Sequence, residues 1–229
     1  MEQFRWSSAR GAQWPRLLLV AANICANYTA RMKNPFDVGY YESAELRSFG
    51  FGRIGANVSI AKNCTIVGLH KISIGNNERI ESDSHLIASS VSIRLGSYIH
   101  IGGGSKLNGR AGIEMEDFSG LSQDVKVYSS SDDYTGRRMT NPMVPPEYTG
   151  ARSSAVHIGR HAIIGSGSII LPGASVGEGA AVGALTLVTR ALDPWAIYSG
   201  NPARRIRERS RSLLALEAKL MECPNNLSD

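Results

Sequence analysis

The chain has 229 residues, 42% of them hydrophobic, with 24 glycines and a net charge of +5. That length allows one globular domain with appendages, and the apolar content excludes a wholly disordered chain. Its three cysteines, Cys25, Cys64 and Cys223, lie far apart with no C-x-x-C pair, which argues against a disulfide framework or a zinc site and for a reducing, cytoplasmic compartment.

Residues 1–36 read as an N-terminal arm. The apolar run from Leu17 to Ala26 is too short to span a bilayer and is interrupted by Asn23. Glu2 and an ill-defined cleavage region speak against a signal peptide. Trp6 and Trp14 sit among Arg and Ser. The arm reads, in order of preference, as mobile, as packed on a neighbouring subunit, or as a membrane-surface contact. Residues 37–53 form a cap, in which Ser43-Ala-Glu-Leu-Arg reads as a short helix.

From residue 54 a period of six takes over. Ile54, Ile60 and Ile66 form one set, followed by Ile74, Ile80, Leu86, then Leu95, Ile101, Leu107, then Met115, Leu121, Val127. The last six rungs are Ile158, Ile164, Ile170, Val176, Val182 and Val188, with a small residue four places after each of the first five. Neither a helix nor an ordinary strand has this period; a parallel β-helix does, each repeat being a short strand and a corner. The aliphatics point inward and the small residues fit the corners, Cys64 among them. Three rungs close a triangle, so the spacing predicts six coils over residues 54–195. Between the first four sets the spacing lengthens to eight, nine and eight, so every insertion falls at one corner. The largest, at 128–157, leaves from that corner too. It is polar and rich in proline, and a loop of this length inside a compact domain is usually functional. Asp193-Pro194-Trp195 ends the prism. Residues 196–229 form a C-terminal segment, in which Ser210 can cap a helix with an apolar stripe of Leu213, Leu216 and Leu220.

These motifs resemble those of the hexapeptide-repeat acyltransferases, and most of all the sugar O- and N-acetyltransferases of the galactoside and maltose type. The resemblance covers roughly residues 40–209. It is most specific in I-G-R-H-A-I-I-G-S-G-S-I-I-L-P-G-A-S-V-G-E-G-A-A-V-G-A, the following V-T-R and S-G-N-P-A-R-R-I-R. It implies an all-β, left-handed parallel β-helix, a winding that periodicity alone would not predict. It also implies acetyl-CoA as donor, a sugar or nucleotide-sugar hydroxyl or amino group as acceptor, a homotrimer with the site between prisms, and a place in surface polysaccharide assembly. The donor groove maps onto Gly165, Ser166, Gly183 and Ala184. Arg190 and Arg204 match the family's phosphate-binding basic residues. Corner packing is the plain alternative for the small residues, and a solvated surface for the arginines.

The family's catalytic histidine has no counterpart: its place is taken by Asp132, in Ser131-Asp132-Asp133, and residues 128–157 contain only His157, at their very end. His100, in Tyr98-Ile-His-Ile-Gly-Gly-Gly, is the leading base, since histidine suits acid–base work near neutrality. Asp132 or Asp133 is the alternative. A carboxylate is a weak base for a hydroxyl but an adequate one for an ammonium, and could also orient His100 from the neighbouring subunit; a simple turn is the plain reading. His70 and His85 rank below these, and His157 and His161, which could touch the donor, read first as solvated turn residues. A three-histidine zinc site is not expected, because these histidines stand on different coils or corners. Nor is a nucleic-acid partner, since no basic patch is interleaved with aromatics. A non-sugar acceptor, such as serine or an antibiotic, and a non-catalytic scaffold subunit are the competing functions.

Overall fold

The computed structural model describes residue 34 and residues 36–222. Readings on the arm, on Cys25 and on Cys223 lie outside these residues. From Arg53 the chain winds as a three-sided parallel β-helix. Each coil visits face I (Arg53–Ile54 in the first coil), face II (Val58–Ala61) and face III (Thr65–Val67) in turn. Each strand pairs in parallel with the strand one coil away, as where Ile80 meets Ile101 and Leu107 meets Val127. All eighteen rungs take the predicted positions. From Ile74 onward their side chains are at most 5% exposed, each burial being worth about 1.5–3 kcal/mol. In the first coil Ile54 and Ile66 are only partly buried, because no full coil lies beneath them.

The prism runs past the stop read at Asp193–Trp195. Leu192 bridges to Val176 on face I, and Ala196–Ser199 adds a parallel strand to face II. Six complete coils are therefore followed by two sides of a seventh. The Asp-Pro-Trp triplet is the ordinary corner of that coil, not a terminator. Antiparallel strands close both ends of face II: Tyr40–Glu42 on Val58–Ala61 and Arg204–Glu208 on Ala196–Ser199. These covers, with Leu46 of helix Ser43–Leu46 buried beneath, protect edges that would otherwise template pairing with other chains.

The corner between faces I and II carries a stack of rings. Tyr98, Phe118, His161 and Trp195 all have φ between 55° and 60°. Tyr98 stacks on Phe118 at 4.5 Å and Phe118 on His161 at 5.1 Å. Left-handed backbone is costly for bulky residues, and here the stacking and the corner geometry offset that cost. Trp195 covers Gly179, where a Cβ would lie 2.5 Å from the indole.

One inward corner position breaks the rule of small or aliphatic residues. Glu78 stands in register with Val58 and is 3% exposed. Its Oε1 accepts from the Gly75 amide at 3.0 Å, while among the described residues Oε2 has no partner. Burial pushes this carboxyl well above its ordinary value of 4.5. The folded state therefore holds the proton more tightly than the unfolded one. Stability from this site is full below the unfolded value and is lost as pH rises through the folded value. Glu78→Gln is expected to raise Tm at pH 8 by about 3 °C or more, with the gain shrinking towards pH 4.5; thermal melts at the two pH values check this.

Candidate functional site

The 128–157 excursion is not structureless. Ser130–Ser131 pairs antiparallel with Arg152–Ser153, and Ser130 Oγ lies 2.9 Å from Ser153 Oγ, so a short ladder closes the neck. Beyond it, the two aspartates have different surroundings. Asp133 is buried and accepts from the Thr135 amide at 2.9 Å, the Thr135 hydroxyl at 2.7 Å and the Arg138 amide at 3.0 Å. The Thr135 hydroxyl, and then the loop amides, hold its carboxyl below the usual aspartate value. Asp133 is thus committed to shaping the loop.

Asp132 is exposed and lines a cleft of about 570 Å³ with Ser89, Asn108, Arg110, Ser130 and Asn141. The cleft follows from the placement of the insertions. Ser89 and Arg110 come from the lengthened III/I corners of coils two and three, Asn108 ends a face III strand, and the excursion closes over them. A carboxylate, a guanidinium and an amide around one opening suit a polar acceptor carrying an amine and a phosphate.

His100 stands elsewhere. It points outward from face II, its side chain 57% exposed, with Nε2 3.3 Å from Glu81 Oε1. Glu81 also ion-pairs with Arg79 and accepts from the Tyr40 hydroxyl. Asp132 lies at the III/I corner, so a single chain does not bring His100 and Asp132 into one site. His70 lies in a short 3-10 turn at the III/I corner and His85 on face III; the described residues show no clustered metal ligands.

The proposed donor residues do share one corner. Gly165-Ser166 and Gly183-Ala184 occupy the II/III corner of coils five and six. The Gly165 amide donates to Val182 O at 2.8 Å and the Leu185 amide to Ser166 O at 2.9 Å. A Cβ on Gly165 would come within 2.5 Å of the Ala184 amide nitrogen, so coil stacking already requires this glycine. Gly200 continues the column, since the Leu187 amide donates to its carbonyl at 3.1 Å, and exposed Arg204 follows it. Arg190 is exposed but belongs to the III/I corner, across face III from the others. In the other direction the column continues to Ser122 and Gly102, which directly follow the Leu121 and Ile101 rungs. The sequence already held that signal: Ser122 has the register of Gly165 and Gly183.

His161, read from sequence as a solvated turn, is buried. The C-terminal helix Leu213–Glu222 lies over it, and Glu217 Oε2 sits 2.7 Å from its Nε2. Arg160 pairs with the same carboxylate, and Arg209 donates to His161 O at 2.8 Å. Burial, followed by the charge of Arg160, holds the imidazole below its ordinary value. The register did point this side chain outward; what covers it comes from 56 residues further on.

No protein-family model matches the chain. It is 40% identical over 181 residues to the dTDP-4-amino-4,6-dideoxy-D-glucose acyltransferase of Escherichia coli, covering 79% of this chain and 94% of that one. The crystal structure of AntD, an N-acyltransferase from Bacillus cereus in complex with dTDP and 3-hydroxybutyryl-CoA, superposes with a TM-score of 0.78 at 39% identity, covering 82% of this chain and 99% of AntD. AntD structures also include variants at one aspartate and at a serine ten residues before it, the latter with dTDP-4-amino-4,6-dideoxyglucose and coenzyme A. A maltose O-acetyltransferase from Clostridium difficile 630, at 21% identity and a TM-score of 0.51, shares the fold.

Proposed function

The chain belongs to the hexapeptide-repeat, left-handed β-helix sugar acyltransferases, and from that membership we propose that it moves an acyl group from acyl-CoA to the amino group of a nucleotide-linked deoxyamino sugar. The observation that carries this reading is Asp132: an exposed carboxylate in a polar cleft, where the resemblance would place a histidine. A carboxylate is poorly matched to a sugar hydroxyl but adequate for an ammonium. Ser122 and Asp132 also stand ten residues apart, the separation of the two substituted positions in AntD. Ser73 and Asp83 share that spacing, but they lie in the first coils, away from the excursion.

Ser122 and Asp132 flank face III, at opposite ends of a three-residue strand that spans about 10 Å. The site is therefore assigned to the junction of two prisms in a homotrimer, with Ser122 from one and Asp132 from its neighbour. Arg204, and Arg190 from the adjoining prism, hold the donor's phosphates, and the pantetheine arm lies along Gly183-Ala184 and Gly165-Ser166. Asp132 takes a proton from the acceptor ammonium, with the Ser122 hydroxyl as relay. The freed amine forms the C–N bond at the thioester carbonyl, the attacking nitrogen gives up its second proton, and the C–S bond breaks to release the thiolate, which takes up that proton. Donors facing the carbonyl oxygen stabilise the tetrahedral intermediate. On this reading His100, paired with Glu81 on face II, takes no part in proton transfer, and Asp133 only holds the loop.

Among the described residues no helix is long and apolar enough to cross a membrane, and a cytoplasmic location completes the proposal. The acylated sugar nucleotide would serve a surface glycan. The test is thiol release from acyl-CoA in the presence of dTDP-4-amino-4,6-dideoxyglucose, with the product identified by mass. Release that saturates with this acceptor is expected; release only with maltose or chloramphenicol would reassign the acceptor. Failure to bind acyl-CoA would favour a scaffold. Calorimetry is expected to show one donor per chain, weakened about tenfold or more by Arg204→Ala, as for loss of a charge-assisted bond.

A further inference from the structure

A second opening lies on face II, beneath the C-terminal helix. It has a volume of about 560 Å³. One wall is the helix stripe Leu213, Leu216 and Leu220, and the other is the outward side of face II at Gly120 and Ile163. The helix has no buried residue of its own. It is tied to the prism by Glu217, which meets His161 and Arg160, while the stripe is left incompletely covered, with Leu213 and Leu220 only partly buried. Leu216 is 67% and Ile163 47% exposed. Apolar walls facing each other across open space are unfavourable in water and mark a binding site.

The position of the cleft says what enters it. Ser122 and Gln123 of the II/III corner line its mouth, and Ser166 of the proposed donor groove donates to Gln123 Oε1 at 3.2 Å. From Gly200, next to Arg204, three coil steps lead along the column to Ser122. At one strand spacing per step this is about 14 Å, the scale of an extended pantetheine arm. A donor bound by its phosphates at Arg204 therefore brings its thioester to Ser122, beside the cleft mouth. The floor there is Gly120, where a Cβ would meet nothing nearer than His100 O at 3.5 Å; the strand would accept a side chain but has none.

Building on the acyl-transfer reading above, we propose that this cleft receives the acyl chain of the donor, and that the enzyme is selective for acyl groups larger than acetyl. An acetyl methyl would leave most of the apolar wall wet, whereas a longer chain buries it. Removing or adding one methylene in such a pocket changes discrimination by about 10–200-fold.

The test measures kcat/KM for the full chain with acetyl-, butyryl-, 3-hydroxybutyryl- and octanoyl-CoA against dTDP-4-amino-4,6-dideoxyglucose. At least one longer donor is expected to exceed acetyl-CoA by about tenfold or more. Gly120→Leu fills the cleft from the floor and Leu216→Trp from the helix. Each is expected to lower the ratio of longer-chain to acetyl transfer by a similar factor. If Gly120→Leu fails to fold by circular dichroism, Leu216→Trp, on an exposed helix face, decides alone. Acetyl-CoA as the best wild-type donor, or a ratio unmoved in the folded variants, overturns the inference and leaves the acyl-transfer reading standing. No turnover with any of the donors overturns both.

Discussion

Replacing Asp132 with asparagine is expected to lower kcat for amide formation by about 10²–10⁴-fold, the usual contribution of a positioned acid or base. Asparagine keeps the size and polarity of the side chain, so the KM values for donor and acceptor should change little. That split separates loss of a base from loss of a binding group. The deficit should shrink as pH rises, because the acceptor amine then arrives already deprotonated. Asp133→Asn provides the contrast. Its carboxylate accepts three bonds within the loop, so the expected damage is looser loop structure, read as faster proteolysis at 134–148, with no rescue at high pH. His100→Ala is expected to retain turnover, and its failure to do so would return the base to face II.

The largest expected effect on stability comes from Gly75→Ala. A Cβ at Gly75 would lie 1.9 Å from the carbonyl oxygen of Gly96 in the next coil. Backbone, not a flexible side chain, blocks it, and both coils are fixed by their own ladders. Overpacking of this kind costs about 1–3 kcal/mol or more, and here it opens a wedge between coils two and three. A fall in Tm of about 5 °C or more is expected, or failure to fold. Gly120→Ala is the control. It adds the same methyl group to a strand where the nearest atom is 3.5 Å away, and it should melt like the wild type. Equal melts for the two alanine variants would show that the coils slide apart at no cost.

The prism was legible in the sequence because each rung carries its own signal. An aliphatic every six residues, with a small residue at the corner, needs no partner from afar to be recognised. The corner taken by the insertions was legible for the same reason. Glu78 was harder to read: it occupies a corner position where the sequence shows small or aliphatic residues in other coils, and nothing local says that its carboxyl is enclosed. His161 is a second case, since its burial depends on Glu217 and a distant helix. The adjacent Asp132 and Asp133 could not be separated by spacing, because what divides them is which carboxylate the Thr135 and Arg138 groups happen to face. Ser122 was legible in register but carries no motif of its own.

Every lengthened connection, from Gly68–Lys71 to the 128–157 excursion, leaves the coil at the III/I corner, while the donor column runs along II/III. Under the proposed function the two duties fall largely on separate edges of one scaffold, with Arg190 the donor contact that shares the III/I edge. On that function, a change in the length or composition of the 128–157 segment would alter what the protein accepts while leaving rung packing and the II/III donor column intact. A chimera carrying another member's segment in place of 128–157 is expected to take that member's acceptor while keeping its own acyl donor.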